Sequence, residues 1–190
     1  MTITKQGTII LSISLLASLN QLYAAESDHE QHEAHVHGEA KLLVALEGNT
    51  LEVEFLSPAM NIVGFEHKPT KESQIHAVES AIMTLKQPNK LFGISSDAGC
   101  KPGSIEVESP LAGHDEHNHS DEAHNDEQEG EHSDFTGHYH FLCTDTSQLK
   151  SIEITIFKQF PGTEVIEVQS ISKQGQQKID LTPGKNILQL

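Results

Sequence analysis

Lys41-Leu42-Leu43-Val44-Ala45-Leu46, Glu47-Gly48-Asn49-Thr50, then Leu51-Glu52-Val53-Glu54-Phe55: this stretch decides the fold. A short apolar run meets a turn of Glu, Gly and Asn. A segment with apolar and acidic residues in strict alternation follows. Period two is the signature of a strand with one face buried, so residues 41–55 read as a β-hairpin whose second strand is half exposed.

Similar segments recur downstream. Leu91-Phe92-Gly93-Ile94 and Ser104-Ile105-Glu106-Val107-Glu108 are strand candidates, and His138-Tyr139-His140-Phe141-Leu142-Cys143 alternates. Ser151 to Phe157 and Thr163 to Val168 read as strands on either side of a Phe160-Pro161-Gly162 turn. Lys178-Ile179-Asp180-Leu181 and Asn186 to Leu190 close the chain in the same style. Leu149-Lys150 suits a short helical turn. Residues 57–67 read as an irregular connection. One helix is clear, over about 71–87, with Thr70 as its cap and Ile75, Val78, Ile82 and Leu85 as its apolar stripe. The expected class is α+β, mainly β: antiparallel sheets or a sandwich with one helix. His76 falls on the polar side of that helix near Glu72 and Glu79 and reads as a surface histidine.

The flanking segments differ in composition. Lys5 is the only charge in the first 25 residues; an apolar run and then Leu22-Tyr23-Ala24-Ala25 follow. A basic start, a short apolar middle and a small-residue exit predict a secretory signal peptide at 1–24. Serines and Asn20 interrupt the run, and no later stretch suits a membrane span. Residues 25–34 are polar and predict a flexible arm carrying His29 and His32. Residues 112–134 hold five histidines and nine acids. With so little apolar surface to offset ordering entropy, they predict a disordered loop inside a single domain of residues 35–190.

Formal net charge is −16. Such a chain repels nucleic acid and anionic lipid and attracts cations. Thirteen histidines, most of them in two groups, narrow the cation to a transition metal, because neutral imidazole suits Zn²⁺, with Cu²⁺, Ni²⁺ and Co²⁺ as competitors in vitro. His35-Val36-His37 and His138-Tyr139-His140 each place two imidazoles on one side of a strand. The two pairs either share one tetrahedral ion or act as two independent surface chelates. His114, His117, His119 and His124, with the arm histidines, are expected to bind metal weakly, because each ion must also order the chain. Cys100 and Cys143 suit one disulfide in an exported protein; the alternative is a pair of thiolate ligands. His29-Glu30-Gln31-His32-Glu33 has its histidines three apart, against the four of a zinc-protease helix. A metallo-hydrolase is therefore only a distant alternative, and no catalytic residue is assigned.

Further motifs run through the chain: His35-Val36-His37-Gly38-Glu39-Ala40, Ser57-Pro58-Ala59-Met60-Asn61 leading to Gly64-Phe65-Glu66-His67, Gly99-Cys100, and His132-Ser133-Asp134-Phe135 before Tyr139-His140-Phe141-Leu142-Cys143. Phe160-Pro161-Gly162, Val168-Gln169, Gly175-Gln176 and Leu181-Thr182-Pro183 follow. Together they make the chain resemble the ZrgA family of periplasmic zinc-uptake proteins over essentially its whole mature length. The resemblance implies zinc capture in the periplasm for an inner-membrane transporter. It raises the standing of His35, His37, His67, His132 and Asp134 as ligands beside His138 and His140. A monomer outside the membrane is expected, and buffering of excess metal is the alternative to uptake.

Overall fold

The computed structural model describes residues 36–113 and 133–190. The expected signal peptide, the arm, most of the acidic loop, and His29, His32, His35, His114, His117, His119, His124 and His132 lie outside those residues. The described residues cluster as one compact unit.

The hairpin is there. β1 (Glu39–Glu47) turns through Gly48-Asn49 into β2 (Thr50–Pro58), with Val44 opposite Val53. Alternation decides the faces: Leu42, Val44, Leu51, Val53 and Phe55 are buried, while Lys41, Leu43 and Glu52 face out. β3 (Phe92–Ile94), β4 (Lys101–Glu108), β5 (Asp134–Leu142), β6 (Ser151–Ile154), β7 (Val165–Ser172), β8 (Gly175–Leu181) and β9 (Ile187–Gln189) complete two sheets. The larger has the order β4-β5-β2-β1-β7-β8, the smaller β3-β6-β9. All neighbours are antiparallel except β1 and β7, which run parallel, so the large sheet is mixed.

The inner face of the large sheet supplies Phe55, Phe135, Tyr139, Phe141, Ile166 and Val168 to one core. Phe92 of the small sheet meets Tyr139 and Phe141 edge-on, at centroid distances of 5.1 and 6.4 Å. Cys100 and Cys143 are disulfide-bonded, S–S 2.07 Å, tying the start of β4 to the end of β5.

Three details depart from the sequence reading. The connection after Pro58 is not wholly irregular: α1 (Ala59–Val63) forms there and ends at Gly64 in the left-handed conformation. α2 (Glu72–Leu85) buries Val78, Ala81 and Leu85, whereas Ile75 is exposed. Its start is held not by Thr70 but by Gln74, whose side-chain oxygen accepts the Thr70 and Lys71 backbone N–H groups. The long strand expected through Phe157 stops at Ile154, and α3 (Ile156–Gln159) follows. Ile156 and Phe157 are consecutive and both buried. A strand would turn one of them outward; a helical turn puts both in the core.

Candidate metal centre

The residues that converge do so around Asn61. This side chain is 4% exposed and lies on α1, just past the end of β2. Its oxygen accepts the Gly38 N–H at 2.7 Å, and its amide donates to the Glu39 carbonyl at 2.8 Å and to Ser57 Oγ at 3.2 Å. The other side of Gly38 is held too: its carbonyl accepts the N–H groups of Glu164 and Val165, at 2.7 and 3.0 Å. Gly38 has φ 89°, which favours glycine. Gly162 lets the Phe160-Pro161-Gly162 turn lie against α1, since a Cβ there would come within 2.5 Å of the Asn61 carbonyl oxygen. Three sequence motifs distant along the chain thus meet at one end of the large sheet.

The residue fixed by this arrangement is His37. Its Nε2 lies 3.2 Å from Glu66 Oε1, on the loop that leaves α1. That separation serves a hydrogen bond. It is also roughly one edge of a tetrahedral zinc shell, about 3.3 Å for ligand atoms near 2.0–2.1 Å from the ion. The His37 ring is half exposed and Glu66 is largely covered, so the pair faces solvent over a fixed base. β5 begins at the same end: Asp134 pairs with Pro58, and Ser133 accepts the Ala59 N–H through its carbonyl at 2.8 Å. His35 and His132 directly precede Val36 and Ser133 in the chain.

His67 stands apart from this pair. Its ring stacks on Phe65 at 5.2 Å. Its Nδ1 lies 3.0 Å from the Lys68 carbonyl, which accepts the ring N–H, and its Nε2 receives the Gln74 amide at 3.3 Å. Nε2 therefore ties the loop to the start of α2, while the Nδ1 bond stays within the loop. His76 lies on the exposed side of α2 between Glu72 and Glu79, at 3.7 and 3.1 Å, as its spacing predicts.

His138 and His140 sit on the outer face of β5, with Tyr139, Phe141 and Cys143 buried behind them, in line with the alternation. Across the register their neighbours are Glu54 and Glu52 of β2. Neither lies beside His37, which precedes β1 near the level of Asp134, four to six residues back along the strand. The register thus separates His37 from His138 and His140, while His35 lies outside the described residues. Burial pushes the Tyr139 phenol well above its ordinary range, so it stays neutral behind the histidines. Among the described residues no three His, Cys, Asp or Glu side chains are gathered into a preformed metal cage. Both cysteines are in the disulfide, which leaves no thiolate for a metal.

Sequence reading missed Asn61, which resembles any turn asparagine, and passed over Glu66 for its neighbour His67. The signal was present in the Ser57–Asn61 and Gly64–His67 motifs. No described helix is long and apolar enough to cross a membrane. No curated protein matches the sequence significantly. Residues 34–190 match the family described as ZrgA family zinc uptake protein, a family of zinc handling and not of catalysis, and the chain belongs to that family.

Proposed function

We propose that this protein captures zinc in the periplasm and supports its delivery to a membrane transporter. The observation that carries the reading is the His37–Glu66 pair, held at 3.2 Å on a backbone braced by Asn61. An imidazole and a carboxylate at that spacing form half of a tetrahedral shell. His35, His132 and Asp134, from the adjoining motifs, are the proposed remaining ligands. The fold has already fixed the His37 backbone, so an ion bound there bears little ordering cost, and the site holds zinc more tightly than the acidic loop. Mixed imidazole and carboxylate ligation also allows exchange, which a donor needs. The disulfide suits an oxidising compartment.

The test is zinc accumulation in cells lacking the protein, grown under zinc limitation and complemented with wild type or H37A plus E66Q. Wild type restores uptake and the double variant does not. Purified protein should show the matching loss of its tightest site in calorimetry. Restoration by the double variant would refute the assignment of the site. Protection only under zinc excess would favour buffering over uptake.

A further inference from the structure

β5 carries a second pair of imidazoles on the face of the large sheet opposite the core. His138 and His140 are two residues apart, so both side chains leave the strand on one side. β2 repeats the pattern with carboxylates. Glu54 is directly opposite His138, and Glu52 directly opposite His140. Glu106 of β4 is opposite His138 from the other side. The result is two adjacent rungs, each joining an imidazole to a carboxylate. His140 Nε2 lies 3.5 Å from Glu52 Oε1, and His138 Nδ1 lies 3.9 Å from Glu54 Oε2. The His140–Glu52 separation is close to the edge of a tetrahedral zinc shell, roughly 3.3 Å, and the His138–Glu54 separation is longer.

We propose that His138 and His140 together chelate one Zn²⁺, with Glu52 or Glu54 as third donor, at a site separate from the His37–Glu66 end of the sheet. The proposal rests on the chain being a zinc binder, but not on the sheet-end ligands. The His138 and His140 side chains are 49% and 31% exposed, and their carboxylate partners 43% and 54%. The four side chains are not gathered into a three-ligand group as they stand, so binding requires them to rotate, and their exposure leaves them room to do so. A strand rise of about 3.3 Å per residue puts His138 and His140 roughly 13–20 Å along β5 from Asp134, too far for one ion to be shared with the sheet end. Two imidazoles and one carboxylate leave the fourth zinc position open to solvent. A metal held this way, on an exposed face, can take a ligand from a receiving protein before it gives up its own. The site is thus suited to hand-over, while the sheet end is suited to capture.

Histidine acylation by diethyl pyrocarbonate, read by peptide mass spectrometry with and without zinc chloride, locates the bound ion in the full chain. In wild type, zinc should slow acylation of His138 and His140 together, at lower concentration than it affects His76, which has two carboxylates but no second imidazole. H37A should leave that protection intact. H140A, or H140Q if the alanine variant is poorly folded, should raise the zinc needed to protect His138 by at least about tenfold, because the second ligand no longer acts at high effective concentration. The proposal is overturned if zinc leaves His138 and His140 as reactive as before, if His76 is protected in parallel, or if His138 stays protected without His140. Absence of His37 protection in wild type would count against the sheet-end reading alone.

Discussion

Replacing Asn61 by alanine tests the sheet-end site at its base. The substitution deletes three hydrogen bonds, to the Gly38 N–H, the Glu39 carbonyl and Ser57 Oγ. A hydrogen bond contributes about 1 kcal/mol net, and a buried group left without a partner costs about 1–3 kcal/mol. The Ser57 hydroxyl keeps a contact to the Pro58 carbonyl, so the loss falls mainly on Gly38 and Glu39. The expected destabilisation is about 2–4 kcal/mol. For a domain of this size that lowers Tm by roughly 5–15 °C. Urea denaturation in the presence of a chelator measures it without a contribution from metal. N61D should fare no better, because it keeps an acceptor for Gly38 but sets a carboxylate against the Glu39 carbonyl. In zinc titrations of the folded variant, affinity at the sheet end should fall about 10–100-fold, the usual cost of releasing a ligand's support. Protection of His138 and His140 should not move. An N61A variant within about 0.5 kcal/mol of wild type, with zinc affinity intact, would refute the idea that Asn61 organises this end of the sheet.

C100S plus C143S should cost roughly 3–4 kcal/mol by the chain-entropy estimate for a loop of this size, read as a lower urea midpoint than that of the oxidised protein. Y139F should leave stability unchanged or raise it by about 1 kcal/mol, since among the described residues the buried hydroxyl has no partner; a clear loss in thermal melts would show that it has one. Lys158 and Asn186 hold the Glu153 carboxylate below the usual range, so its contribution is present at neutral pH and is lost as pH falls through that depressed value. E153Q should accordingly lose less Tm than wild type between neutral pH and pH about 3, and parallel losses would contradict the pairing. Zinc affinity of the whole chain should fall as pH drops through the ordinary imidazole range, about 6.5, because protons compete for the ligand nitrogen; calorimetry showing no weakening would argue against histidine ligation.

What was legible in the sequence was what is local. Alternation located the 41–55 hairpin and placed His138 and His140 outside with Tyr139 and Phe141 inside, since both follow from period two alone. The same rule failed at Ile156 and Phe157. Ile152-Glu153-Ile154-Thr155-Ile156 keeps period two past the end of the strand, so alternation gives no sign of the stop, which comes where the β3 and β9 partners end. α1 was hidden because it is shorter than two turns and follows a proline. The placement of His37 was illegible for a different reason. Its partner Glu66, and Asn61, Glu164 and Val165, which hold the neighbouring Gly38, are all distant in the chain, and pattern reading carries no information about which strands become neighbours. Matching His37 to His138 was reasonable by residue type, but β2 lies between β1 and β5.

The parallel pairing of β1 with β7 has a consequence for timing. β1 can zip onto β2 as soon as the hairpin is made, but Glu39 meets Val165 only after most of the chain is available. Closing so long a loop is entropically costly and slow compared with local contacts. The Gly38 carbonyl acquires its Glu164 and Val165 donors in that same late step. A growing or truncated chain that ends before β7 would hold the hairpin but not the backbone geometry of His37. The backbone that carries His37 is therefore completed only with the last third of the polypeptide, and zinc bound at the proposed sheet-end site would report that β7 has docked.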